Sequence, residues 1–283
     1  MTWELYTLIS VVALSASVLL QKILLSTFKS DPYAYAVIFQ GLVGVLLSIF
    51  AVAAGFKLPR IETLLVPAII SIIAFGLGHI MYAKTLQLVE ASAFSVLFAT
   101  QAVWIMLLGV LLFGESLTIL QLIGSIIIFA SVGLLVKNVT ALKLDKGTAY
   151  GLVTGILFGI AIISWSYVGR YTDGISWAAV SFAGTALVAL IVKPRSIKHM
   201  KHLFSSKVIS SLLILTVFYA IGSLAMLYAY REGTFSVVTP IRQSSILITT
   251  LLALLFISAE RTRVMRKLIA AALCFIGVAM IVL

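Results

Sequence analysis

Arg242 is the residue whose type and place say most about chemistry. It lies inside the apolar run 234–257. Eight residues from the start of that run put it about 12 Å in, at 1.5 Å per residue. That is near the middle of a hydrocarbon core roughly 30 Å thick. An arginine there costs at least about 2.5–3.5 kcal/mol on insertion scales, so it must face water, a partner or a solute. Its planar fork suits a carboxylate or another anion. A structural alternative stands beside this reading, in which the side chain snorkels or pairs with another part of the chain. Gln243, Ser245 and Thr249 add polar groups nearby, and 242, 245 and 249 share a face by their spacing of 3 and 4. Pro240 removes the bond from its own nitrogen to the carbonyl of Ser236. The freed carbonyl and the kink suit a binding site or a hinge, and equally a plain packing bend.

Other polar and aromatic residues recur at helical spacing. Phe75, His79 and Tyr82 stand at i, i+4 and i+7, and Tyr219, Ser223 and Met226 repeat the pattern. Aligning Gly78-His79 with Gly222-Ser223 makes the two stripes equivalent, so both could line one cavity. The reference pKa of histidine is about 6.5, which makes His79 a candidate for proton coupling. The alternative is a hydrogen-bonded packing histidine. Gln101 and Trp104 are i and i+3. Trp104 falls mid-run, where anchoring at the membrane interface does not explain it. Trp165, with Ser164 and Tyr167, is a second cavity candidate. Gly151, Gly155 and Gly159 form a small-xxx-small ladder that brings backbones together.

No reactive chemistry is legible. The histidines and acids lack metal-ligand spacing, and no cofactor or catalytic residue is expected. A membrane-embedded enzyme would need a pair such as Ser223 and His79, yet no Gly-x-Ser-x-Gly elbow or acidic cluster supports one. Cys274 stands alone and reads as a small packing residue.

The elements that must position these groups are membrane helices. Of 283 residues, 62% are hydrophobic and 10% charged, against about 45–50% and 25% in a soluble domain. Ten runs of membrane-spanning length follow: 4–22, 33–54, 64–83, 92–113, 117–136, 148–168, 175–193, 208–229, 234–257 and 264–283. The longest stretch between them, Pro194–Lys207, is a loop too short for an aqueous domain, which excludes a nucleic-acid partner. The runs are apolar on all sides, unlike the alternating strands of a barrel. The first opens on Met1-Thr2-Trp3-Glu4, without the basic start of a signal peptide.

The net charge of +11 is distributed as a topology signal. Of 20 Lys and Arg, 15 fall in loops after odd-numbered runs and four, Lys57, Arg60, Arg170 and Arg231, after even-numbered ones. The positive-inside bias puts the odd loops in the cytoplasm and both termini outside it. The densest cluster, Lys193–Lys207, reads as an anchor beside anionic lipid.

The chain is also duplicated. Glu90-Ala-Ser-Ala-Phe-Ser-Val-Leu97 is echoed by Arg231-Glu-Gly-Thr-Phe-Ser-Val-Val238. Leu111-Leu-Phe-Gly-Glu-Ser116 is echoed by Leu255-Phe-Ile-Ser-Ala-Glu-Arg261, and Phe39-Gln40-Gly41 is answered by Phe182-Ala183-Gly184. Two repeats, 1–137 and 148–283, then flank a linker at 138–147. Five spans each is odd, so two halves of one fold enter the membrane in opposite orientation. Inverted repeats place a site near the midplane and let one half rock against the other. The expected fold is therefore an all-α membrane protein of ten helices in two inverted five-helix repeats.

These pieces resemble the EamA-type, ten-span branch of the drug/metabolite transporter superfamily. Tyr82-Ala83, Glu90-Ala91-Ser92 and Leu112-Phe113-Gly114-Glu115 are similar to its first-half pattern. Tyr228-Ala229, Gly233–Pro240 and Glu260-Arg261 are similar to its second. The family's proline in span 4 is absent near Thr100-Gln101, and its members usually have cytoplasmic termini. The resemblance implies a secondary transporter, often an exporter, for an amino acid, metabolite or drug, working by alternating access in the plasma or inner membrane. It implies a polar, aromatic cavity among spans 3, 4, 8 and 9. Together with the residue reading above, the candidate solute contacts are Arg242, Gln243, His79, Tyr82, Gln101, Trp104, Tyr219 and Ser223, with Trp165 of span 6, and Pro240 is the candidate hinge. A lipid or lipid-linked metabolite flippase is the alternative function. The partners are a small solute, a proton as candidate coupling ion, and the bilayer. A monomer is the expected state, with a homodimer as the alternative.

Overall fold

The computed structural model describes residues 2–27, 30–57, 63–113, 118–135, 145–232, 238, 241–242 and 244–282. Pro240 and Gln243 lie outside the described residues, as do Glu115 and residues 138–144 of the linker. Among the described residues there is helix and no strand. The helices are α1 (Trp3–Thr27), α2 (Pro32–Ala53), α3 (Leu65–Leu88), α4 (Ala91–Ala99), α5 (Gln101–Phe113), α6 (Ile119–Leu135), α7 (Lys146–Tyr171), α8 (Gly174–Val192), α9 (Ile197–Leu203), α10 (Ser206–Glu232), α11 (Ser245–Phe256) and α12 (Val264–Val282). Among the described residues eight helical runs are long and apolar enough to cross a membrane, α4 and α5 counting together as Ala91–Leu108. Ile119–Leu135 and Ser245–Phe256 are apolar but shorter.

Starts are set by aspartates. Asp31, Asp145 and Asp173 each accept a hydrogen bond from a first-turn amide of α2, α7 and α8, the N-cap geometry that satisfies otherwise orphaned donors. Burial pushes the Asp31 carboxyl up. The amides of Ala34 and Tyr33 and the Lys193 ammonium outweigh it and hold the group below its usual range. The Ser176 hydroxyl and amide hold Asp173 down against burial.

Three segments depart from the sequence expectation. In run 234–257 a turn at Ser244 precedes α11, which covers only Ser245–Phe256. Run 92–113 is not one continuous helix: it is interrupted at Thr100, without a proline. The Thr100 hydroxyl donates to Leu97 O at 2.7 Å, and its amide reaches the same carbonyl three residues back. A side chain competing for backbone groups interrupts the ladder. The loop 194–207 is also not all loop. It holds a 3-10 turn, Pro194–Ser196, and then α9, tied down by buried Ser196 and Leu203.

The main pairings are α3 with α7, α2 with α8, α1 with α10, and α6 with α12. Glycines give their direction. Gly147 faces Leu88 and Val89 while Gly78 faces Phe158, so α3 and α7 run antiparallel. Gly41 faces Ala186 and Gly44 faces Ala183, so α2 and α8 do too. Gly124 faces Met280 and Gly277 faces Ile128, giving α6 and α12 the same relation. The ladder on α7 runs parallel to α4–α5: Gly151 meets Leu97, Gly155 meets Thr100 and Gly159 meets Trp104. A Cβ on Gly155 would stand 2.2 Å from Thr100 Oγ1. Val45, Ile49, Val66, Ile126 and Leu187 point outward and are exposed, as side chains facing lipid must be.

One end is clasped by charge. Glu260, 1% exposed, follows α11 and accepts from the amides of Ala91 and Ser92 and from Ser92 Oγ. It thus caps α4, whose own N-cap residue Glu90 makes no side-chain cap bond. Glu90 instead pairs with Lys267 Nζ at 2.6 Å, and Lys267 also donates to Glu260 O. Lys22 of α1 donates to Leu86 O and Val89 O, both at 2.7 Å.

Candidate solute site

Two chambers meet at Arg242. The first, of about 80 Å³, is aromatic. From α3 come Phe75, His79 and Tyr82, and from α7 Phe158, Ile162 and Trp165. Helix α10 gives Tyr219, Ser223 and Met226, and α8 gives Ser181, Phe182 and Thr185. The rings hold one another. His79 stands 5.0 Å from Phe158 and 6.1 Å from Tyr219, both edge-on. Aromatic pairs favour that geometry. Tyr82 packs edge-on against Phe94 at 4.4 Å. Its hydroxyl accepts from Gln21 Nε2 at 3.4 Å, and Gln21 Oε1 accepts from Tyr35 OH at 3.1 Å. Trp165 is fixed by donating its Nε1–H to Ser181 Oγ at 2.9 Å.

The second chamber, of about 60 Å³, sets five hydroxyls among apolar side chains such as Val11, Phe94 and Ile246: Ser10 and Ser15 from α1, Ser95 from α4, and Ser245 and Thr249 from α11. Gln101, at the start of α5, completes it. Leu14, Val18, Phe98 and Arg242 border both chambers. Leu14 and Val18 are the middle of α1, so Arg242 stands level with mid-helix.

Arg242 is 7% exposed and donates from Nε to Tyr230 OH at 2.9 Å. Among the described residues the ion pairs are Lys193–Asp31 and Lys267–Glu90, and neither involves Arg242. A guanidinium between two cavities, held by a phenol and without an acid, can take an anion. No group of three His, Cys, Asp or Glu that could hold a metal ion occurs among the described residues.

Of the residues singled out in sequence, His79, Tyr82, Trp165, Tyr219, Ser223 and Arg242 line the aromatic chamber, and Gln101 the hydroxyl one. Trp104 lines neither; its Cβ lies against Gly159 of the ladder. Pro240 and Gln243 lie outside the described residues. Sequence reasoning missed Tyr230, Phe158, Phe98, Phe182, Ser181 and Thr185. Ser181 and Thr185 are i and i+4, so the spacing rule applied to α3 would have found them. Tyr230 carried no such signal.

A family model described as the EamA-like transporter family matches residues 1–137 and 145–283. Among solved structures 17 chains are similar. One, described as "Crystal structure of protein", covers 98% of this chain and 97% of its own at 16% identity, with a TM-score of 0.59. At that identity the likeness is one of fold. No curated protein matches the chain in sequence. The match over both repeats places the chain in the EamA-like transporter family, as a multi-pass membrane protein that transports small solutes.

Proposed function

We propose that the chain is a secondary carrier for a small organic anion, built as ten spans in two inverted halves, 1–137 and 148–283, joined by the linker 138–147. The packing supports this. Pairing spans 1 with 8 and 3 with 6 is what an exchange of two five-span halves produces, and spans 2 with 7 and 5 with 10 pair across the same exchange. The antiparallel pairs agree with an odd number of crossings per half. Alternating access then follows from rocking about the contact between halves. The 15 to 4 charge bias supports cytoplasmic odd-numbered loops and termini outside, in the plasma or inner membrane.

The observation that carries the reading is Arg242: buried, tied to Tyr230, and bordering both chambers. The anionic part of the solute sits on the guanidinium and its apolar part among the rings. His79, in the wall, is the candidate for proton coupling. Reconstituted protein, given a panel of organic anions with and without a proton gradient, tests this. Removing one member of a buried charged contact costs about 2–5 kcal/mol, so Arg242→Ala should lower flux by about thirtyfold or more. Arg242→Lys should recover little, because a point charge does not copy the fork. Wild-type flux in Arg242→Ala would remove the proposal.

A further inference from the structure

The hydroxyl chamber holds two polar atoms that the described residues leave unmatched. Gln101 Oε1 and Ser10 Oγ, on residues 1% and 0% exposed, are buried and have no hydrogen-bond partner among the described residues. They come from different helices, α5 and α1, and line the same cavity. Two neighbouring hydroxyls are already engaged: Ser15 Oγ donates to Ser245 O at 3.4 Å and Ser95 Oγ to Ser92 O at 2.9 Å. An unmade bond at a buried amide oxygen is a standing cost. A ligand that brings a donor recovers it.

Charge narrows the ligand. Among the described residues Arg242 is the one charged group lining this chamber, and no acid does. An ammonium there would sit beside a guanidinium at low dielectric, with no protein carboxylate lining the chamber to compensate it. A neutral donor meets no such penalty. The two chambers also share a wall at Arg242, and together they hold about ten water-sized groups. One solute can therefore span both, with its anion between them.

We propose that the hydroxyl chamber reads a neutral hydrogen-bond donor on the solute, through Gln101 and Ser10. The preferred solute is then an organic anion bearing a hydroxyl or amide N–H in place of an ammonium. This rests on the reading of Arg242 as the anion contact, and it adds what the second chamber selects.

Calorimetric titration of the full chain in nanodiscs tests it with three probes sharing one ring and one carboxylate: 3-phenylpropionate, 3-phenyllactate and phenylalanine. Phenyllactate should bind about tenfold or more tighter than phenylpropionate, since a site built for a hydroxyl rejects the analogue without it. Phenylalanine should bind more weakly than phenyllactate. Gln101→Leu should bring the phenyllactate-to-phenylpropionate affinity ratio close to one, and Ser10→Ala should reduce it by less. A ratio cancels any general loss of binding. Equal binding of the two acids by the wild type, the behaviour expected if a bound water satisfies both atoms, overturns the inference. So does a ratio that survives Gln101→Leu, or tighter binding of phenylalanine. If no probe binds, or if Arg242→Ala binds the acids as well as the wild type, the anion reading itself falls and the inference falls with it.

Discussion

Two buried cations, Lys267 at 5% exposure and Arg242 at 7%, sit in opposite settings. Lys267 is matched within the protein. Its ammonium reaches the Glu90 carboxylate and Glu260 O, and Glu260 commits its own carboxylate to the start of α4. Arg242 has the Tyr230 hydroxyl and two chambers. A buried charge is tolerated when it is paired. The clasp meets that condition with protein groups alone, and on the proposed reading the chambers meet it with a solute. The cation with a protein acid beside it ties helices together, and the proposal assigns the cation without one to the solute.

The contrast can be broken from either side. The largest effect belongs to Arg242→Ala, with flux down by about thirtyfold or more and little change in thermal unfolding. A large fall in the unfolding midpoint would make Arg242 structural. On the clasp, Glu260→Ala strips the Ala91 and Ser92 donors of their acceptor and should destabilise by about 2–3 kcal/mol, read as denaturant unfolding in detergent. An unchanged midpoint would mean that the clasp holds nothing. Gly155→Ala drives a methyl into Thr100 and should cost about 1–3 kcal/mol by overpacking, with Gly133→Ala, whose Cβ meets open space, as control. If both behave alike, the close approach of α7 to the break is not tight.

The smallest effect is outside the membrane. The Asp31 carboxyl is held below its usual range by the α2 amides and Lys193. Its contribution is then fully present above the unfolded value, about 3.9, and lost as pH falls through the folded one. Unfolding midpoints followed downward from pH 5 should drop less in Asp31→Asn than in the wild type. Equal slopes would show that the Lys193 pair contributes nothing.

Much of the fold is legible because it is written in runs. Twenty apolar residues bounded by charge admit one structure in lipid. The break at Thr100 was hidden because it comes from a hydroxyl and not from proline or glycine. Helix α9 was hidden because seven residues around a basic cluster read as loop. In the site, stripes at i, i+4 and i+7 brought out His79, Tyr82, Tyr219 and Ser223, since spacing fixes which residues share a face. What spacing cannot give is contact between helices. Tyr230 meets Arg242 across a gap of 12 residues, and Glu260 meets Ala91 across 169. Trp104 shows the same limit in reverse: its spacing fits a cavity wall, and the neighbour it meets is Gly159.

The central claim is that Arg242 is kept for a solute while Lys267 is kept for the fold. Flux and unfolding midpoint, measured side by side on Arg242→Ala and Lys267→Ala in the same reconstituted preparation, test it most directly. The account predicts a crossed result. Arg242→Ala loses flux and keeps its midpoint, because removing a charge with no acid partner leaves no buried charge exposed to loss of its mate. Lys267→Ala lowers the midpoint, by about 2 kcal/mol in unfolding free energy, because Glu90 and Glu260 O lose their donor. Both variants losing stability in step with flux would contradict it.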